Sequence, residues 1–242
     1  MASEKLIRAV VSMRSIKEKV EIEEIEKALS VTWEMHTTAM KMCRPGVREQ
    51  EISGTIEGIA FSKGGGTAFP VILSINGQTL HNHDHGNILK KGRMMVTDAG
   101  AETSMHYASD ITRTTPVGGK FSQKQKDIYD IVLKANTDSI KAAEPGLSNL
   151  ELHLNACKII ASSLKDLGLM RGDIDDAVET GAHALFMPHG LGHMMGLDVH
   201  DMEALGENYI GYNDNVKRSD QFGLAFLRFA LPFKPGHVFT VE

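Results

Sequence analysis

The chain has 242 residues, of which 42% are hydrophobic, 24% charged and 6% aromatic, and its net charge is −5. That length buries roughly 70% of the unfolded surface and needs no disulfide; two isolated cysteines, Cys43 and Cys157, argue against a disulfide scaffold or a cysteine-based zinc site. The absence of a basic stripe, of an apolar run near the ~18 residues of a membrane span and of a signal core in MASEKLIRAVVSMR excludes nucleic-acid, membrane and export readings, and leaves a soluble, cytoplasmic globular protein as the expectation.

Residues 1–15 read as a short stub ahead of the first long helical pattern. That pattern runs from Ile16 to Met42, with Ile22, Ile25, Leu29, Trp33 and Met40 at roughly helical spacing. Arg44-Pro45-Gly46 stops it, because proline breaks the hydrogen-bond ladder and glycine suits the cap. A second helix is predicted over Arg48 to Phe61, ending at Gly64-Gly65-Gly66. Phe69 to Ile75, Met94 to Thr97 and Tyr107 to Arg113 read as strands, the last two around a turn at Ala99-Gly100.

The pattern then returns. An amphipathic helix is predicted over Gln123 to Ala143, with Ile128, Ile131, Val132, Ala135 and Ala142 on one stripe. Glu144-Pro145-Gly146 ends it, and another helix follows over Asn149 to Leu167. The two Pro-Gly stops lie 100 residues apart, and at that offset Val47 matches Leu147, Glu51 matches Glu151, Ile52 matches Leu152 and Ile59 matches Ile159. The sequence therefore predicts a duplicated α+β unit, with halves near 16–120 and 121–242. Such halves commonly place a ligand site where they meet.

Six of the 11 histidines fall in two clusters: His81, His83 and His85, then His189, His193 and His200. The second lies in Pro188-His189-Gly190-Leu191-Gly192-His193-Met194-Met195-Gly196-Leu197-Asp198-Val199-His200-Asp201. Neutral imidazole ligates divalent transition metals, and glycine lets backbone approach a ligand closely. The i, i+4 pair His189 and His193 would suit a helical zinc site, but Gly190 and Gly192 disfavour a helix, so the expectation is a loop carrying one ligand and acid–base histidines. Asp98, in Val96-Thr97-Asp98-Ala99-Gly100, and Asp110, in a β-like run, would be costly in an apolar setting unless paired or metal-bound. A hairpin could bring both carboxylates to one point. At the end of the chain a Pro235-Gly236 turn leads into an apolar strand that carries Glu242, a candidate oxygen ligand.

The segments around Asp98, Asp110, His193 and Glu242 resemble the pita-bread metallopeptidases, and the H-G-L-G-H-x-x-G-L-D-V-H-D run is specific for their aminopeptidase P and Xaa-Pro dipeptidase (prolidase) branch. The resemblance covers about Leu6 to Glu242. It implies an α+β fold, a curved and mostly antiparallel sheet backed by helices in two pseudo-symmetric halves. It implies hydrolysis of the Xaa-Pro bond in dipeptides or at peptide N-termini by two divalent ions, manganese first, with cobalt, zinc or iron as alternatives. Position by position, Asp98 resembles a bidentate metal ligand, Asp110 a bridging one and His193 the sole imidazole ligand. Glu242 resembles a ligand that also serves as general base. His81 and His200 match substrate-contacting histidines, His189 and His200 match groups that move protons, and Arg228 is similar to an arginine that holds a substrate carboxylate. The implied partners are small peptides with proline in second position, and a second copy in a homodimer.

The family's last metal ligand is a glutamate in a further G-x-R-x-E-D strand that these 242 residues do not include, and its members usually carry an N-terminal domain before the first helix. The expectation from sequence is therefore a catalytic domain, 16–242, cut from a longer enzyme, which in this form binds metal poorly. The competing readings are a non-catalytic pita-bread binding module and a metal-independent creatinase-like hydrolase.

Overall fold

A computed structural model describes residues 3–242. The chain divides into two compact units, one formed by Glu18–Gln125 with Met195–Val199, the other by the segment ending at Lys17, Lys126–Met194 and His200–Glu242. No helix among the described residues is long and apolar enough to cross a membrane.

The first unit begins with α2 (Lys19–Met42), packed on α3 (Glu49–Lys63). The face that α2 buries carries Ile25, Ala28, Thr32, Met35, His36 and Ala39. The predicted stripe was displaced: Trp33 is 70% exposed, and His36 and Thr32 take core positions by hydrogen bonding to Ala99 O and the Ser109 hydroxyl. Polar side chains enter a core once they are paired. Against these helices lie the short antiparallel pair β1 (Gly66–Thr67) and β4 (Ala101–Glu102), and an antiparallel sheet ordered β2 (Ile72–Ser74), β3 (Met94–Ala99), β5 (Ile111–Pro116). Tyr107 to Asp110, predicted as strand, precede β5 as irregular chain, because Ala108 N–H and Ser109 N–H turn to Gly196 O and Ala101 O. Met35, Ile52, Ile56, Leu73, Leu89 and Met95 fill the core.

Gly58 sits on the solvent side of α3, where an added Cβ would meet nothing within 4 Å. Gly58→Ala should stabilise the unit by about 0.5–1 kcal/mol, since alanine loses less backbone entropy in a helix. A thermal melt should show Tm higher by roughly 2–4 °C.

In the second unit, α1 (Glu4–Ser15) packs near α7 (Glu207–Gly211), so the predicted stub is a helix that belongs to this unit. Its other helices are α4 (Gln123–Ala142), which enters the unit at Lys126, α5 (Asn149–Asp166) and α6 (Ile174–Glu179). The histidine-rich stretch from Pro188 to His200 is loop, as the glycines require. The Leu197-Asp198-Val199 segment is a series of bends, and the C-terminal apolar segment is reduced to a bridge between Phe239 and Met194.

The 100-residue repeat appears in the hydrogen bonds. Around Pro45-Gly46, Gly46 N–H donates to Leu89 O, Leu89 N–H to Val47 O, and Glu49 N–H to Asn87 O. Around Pro145-Gly146, Gly146 N–H donates to Phe233 O, Phe233 N–H to Leu147 O, and Asn149 N–H to Leu231 O. The same two-helix corner is thus tied twice to a returning extended segment through an isolated bridge.

Buried histidines make the second unit acid-sensitive. His153 is 0% exposed, and burial, aided by repulsion from His183 and His189, lowers its pKa to about 4. Burial lowers His183 as well. Above pH 6.5 the neutral ring costs nothing relative to the unfolded chain. As pH falls from 6.5 to 4 the unfolded chain gains a proton that the folded one refuses, so stability declines across that window. His153 alone accounts for about 3 kcal/mol at the lower end. Urea titrations from pH 7 to 4 should show this loss, and His153→Gln should flatten it.

Candidate metal centre

The second unit places His193 and Glu242 on a short ladder between two loop segments. Glu242 N–H donates to Leu191 O at 2.7 Å and Thr240 N–H to His193 O at 2.9 Å, while Asn136 Nδ2 donates to Val241 O at 2.6 Å. Gly192 permits the approach: a Cβ there would lie 2.0 Å from Thr240 O.

This ladder sets His193 opposite Glu242. His193 is 4% exposed, and its Nε2 lies 3.0 Å from Glu242 Oε1. Its Nδ1 lies 3.0 Å from Met194 O. A carbonyl oxygen only accepts, so Nδ1 carries the hydrogen and the Nε2 side is left to face a carboxylate. A lone pair and a carboxylate oxygen repel at that distance unless a cation lies with them, either a proton on Nε2 or a metal ion. A ligating histidine is commonly fixed in this way through its second nitrogen.

Thr240 joins the two groups, its hydroxyl accepting from His193 N–H at 3.0 Å and donating to Glu242 Oε1 at 2.7 Å. Burial by itself would raise the Glu242 carboxyl. The hydrogen bond and charge of His193, the Thr240 hydroxyl and the charge of His189 outweigh it and bring the pKa down to about 2. Glu242 is therefore ionised at neutral pH, the state in which a carboxylate ligates metal.

His200 stands edge-on to His193, with ring centroids 4.2 Å apart and planes at 74°. Its Nδ1 lies 3.6 Å from Glu203 Oε2. His189 donates from Nδ1 to Gly190 O at 2.8 Å. Arg228 pairs with Glu203 and lies 3.5 Å from Glu207 Oε1. Burial raises the Glu203 carboxyl and Glu207 adds to the rise, against the lowering by Arg228 and His193. The structure thus gathers His193, His200 and Glu242 closely, with Arg228 linked to His200 through Glu203.

In the first unit, Asp98 is on β3 and Asp110 immediately precedes β5. Asp98 pairs in register with Thr112, and Asp110 lies one residue beyond the end of the ladder, which closes at Ala99 and Ile111. Both are partly buried. His81 lies apart from the strands, exposed in a turn with φ +54°.

Sequence reasoning missed the support beneath the histidine loop. Asp201, next to His200, is 1% exposed and receives Lys17 Nζ at 2.7 Å and Arg14 Nη2 at 2.5 Å. Lys17 is held in turn by its backbone N–H donating to Gly236 O. No local pattern marks this cluster, because its members are 184 and 187 residues apart. Thr240 and Glu203 were missed for the same reason.

A carboxylate facing an imidazole, as Glu242 faces His193, suits hard to borderline divalent ions. Residues 23–242 match the model of metallopeptidase family M24. The chain is 39% identical over 201 residues to Xaa-Pro aminopeptidase of Escherichia coli, a match covering 81% of this chain and 45% of that protein. It is 34% identical over 241 residues to Xaa-Pro dipeptidase of Homo sapiens, covering 96% of this chain and 47% of that protein. Zinc-substituted aminopeptidase P of E. coli in complex with product superimposes with a TM-score of 0.82 at 34% identity, covering 97% of this chain and 49% of that one. The chain spans about half the length of these relatives, and it has their pita-bread fold. It belongs to metallopeptidase family M24.

Proposed function

We propose that this chain is the catalytic portion of a peptidase that cleaves the bond before proline, in dipeptides or at the N-terminus of peptides. The observation that carries the reading is His193 Nε2 facing the ionised Glu242 at 3.0 Å while its Nδ1 is committed to Met194 O. In this reading Asp98, Asp110, His193 and Glu242 hold two divalent ions, manganese in the first instance. When bound, such ions supply a water of low pKa and polarise the scissile carbonyl.

The residues of the chain do the rest. Glu242 accepts the proton of the attacking water and passes it to the departing prolyl nitrogen. His200, held at Nδ1 beside Glu203, and His189, held at Nδ1 by Gly190 O, each keep Nε2 for the proton exchanges and hydrogen bonds of the reacting amide. His81 contacts substrate from its turn. Arg228 exchanges its ion pair with Glu203 or Glu207 for a dipeptide carboxylate, which would favour short substrates. The reading is of an enzyme working in the cytoplasm as a homodimer.

The test is metal-stripped protein reconstituted with Mn²⁺, Co²⁺ or Zn²⁺ and assayed on Gly-Pro, on an Xaa-Pro tripeptide and on matched Xaa-Ala peptides. In the chain extended through the family's G-x-R-x-E-D strand, metal-dependent cleavage confined to the proline substrates is expected, whereas these 242 residues alone should bind metal poorly and turn over slowly. No bound metal after manganese dialysis would instead make this a binding module that kept the fold and lost the metals, and equal rates on the alanine peptides would remove the proline specificity.

A further inference from the structure

Apart from the candidate centre, the second unit buries another set of metal-ligating side chains. His153 and Cys157 are one turn apart on α5, where i and i+4 share a face. His183 joins them from the 3₁₀ turn Ala182–Leu185 that follows α6. All three are 0% exposed. Cys157 Sγ lies 3.5 Å from His153 Nε2, the imidazoles meet edge to face with centroids 6.3 Å apart, and one ligand atom from each residue lies within 4.8 Å of the others.

The surroundings do not satisfy these groups. His153 Nδ1 and both ring nitrogens of His183 are buried without a hydrogen bond, the carbonyls of Ala177 and Val178 lying near His183 outside hydrogen-bonding geometry. Buried polar atoms are nearly always paired, because an unpaired one has given up water for nothing. Three such nitrogens around one thiol call for an occupant.

We propose that His153, Cys157 and His183 bind a single Cu(I) ion. Thiolate with imidazole is a donor set that selects soft ions, and two imidazoles with one thiolate form a three-coordinate site. Charge decides the oxidation state. A monovalent ion with one thiolate is neutral, which the apolar core around Leu152, Ala156 and Ala161 accepts. A divalent ion would leave a buried positive charge, and tetrahedral zinc would want a fourth ligand that the cluster lacks. On binding, Cu(I) replaces the thiol hydrogen, forming the Cu–S bond and releasing one proton to solvent, with no change of oxidation state. This assignment is independent of the peptidase reading, since it shares no ligand with it.

The test is anaerobic Cu(I) titration of the whole chain against a chromophoric chelator, with Cu(I) offered both to folded protein and during refolding from urea. X-ray absorption of the loaded protein and thermal melts of all variants accompany it. Wild type and Cys43→Ala should take up an equivalent of Cu(I) with one sulfur and two nitrogen neighbours. Cys157→Ser, Cys157→Ala and His183→Gln, while still folded, should lose that equivalent, with affinity down more than about 100-fold. Retention of the equivalent and its sulfur signal in folded Cys157→Ala overturns the proposal. So does Cys157-dependent binding of Zn²⁺ in preference to Cu(I), or wild type that folds and takes up no copper at a sulfur site.

Discussion

Asp201→Asn should destabilise the second unit by about 3–5 kcal/mol, the cost of removing one partner from a buried ion pair. Lys17 Nζ and the Asp201 carboxylate are each 1% exposed, so the amide would leave an ammonium buried beside a neutral group. Arg14, whose side chain is 24% exposed, can turn to water, and Arg14→Ala should cost far less. The double change Lys17→Met with Asp201→Leu tests the cause: with both charges gone, most of the loss should disappear, because an apolar pair of similar volume is often neutral or better. Urea unfolding of the four proteins measures this. If Asp201→Asn unfolds within about 1 kcal/mol of wild type, Lys17 is not confined as the structure places it. The substitution also reaches the site, since Asp201 fixes the end of the loop that carries His200.

The second large effect separates a ligand from an acid–base group and rests on the peptidase reading. In the enzyme extended through the G-x-R-x-E-D strand, His193→Ala should lower metal content and turnover together, because the ring that faces Glu242 is gone. His200→Ala should leave metal bound and slow turnover by about 10²–10⁴-fold, the range for a lost proton-transfer group. His200 is the more exposed of the two, touches the first ring edge-on, and has a carboxylate partner of its own in Glu203. Were both histidines structural, each change would act through stability, and metal and rate would fall with the folded fraction. Elemental analysis, melts and kinetics on both variants distinguish the cases. Full metal content in folded His193→Ala would remove it from the ligand set.

The helical framework was legible because its signals are local. Pro45-Gly46 and Pro145-Gly146 stop helices by backbone chemistry alone, and the predicted starts at Arg48 and Asn149 lie within one residue of the observed ones. The glycines around His189 and His193 exclude a helix by the same local reasoning. Faces were less legible. Trp33 reads as core by hydropathy, yet it points to solvent while Thr32 and His36 are buried, because hydrogen-bonding partners 63 and 77 residues away make those positions dry and paired. Strand limits shifted for a related reason: whether Tyr107 to Ser109 or the segment before Glu242 forms a ladder depends on which backbone lies alongside, and no period in the sequence encodes that.

The sequence by itself determined the duplicated helix corner, the loop nature of the histidine run, the resemblance to M24 peptidases and the residue types able to hold metal. Only the tertiary structure decided that His193 is turned by Met194 O towards Glu242, that Thr240 ties the two, and that Asp201 is anchored by Lys17. It also brought His153 and Cys157 to His183 across 25 intervening residues. The physical reason is range. Backbone conformation is governed by neighbours a few residues away, whereas the protonation, pairing and orientation of a buried polar side chain are set by whatever the fold places within hydrogen-bonding distance.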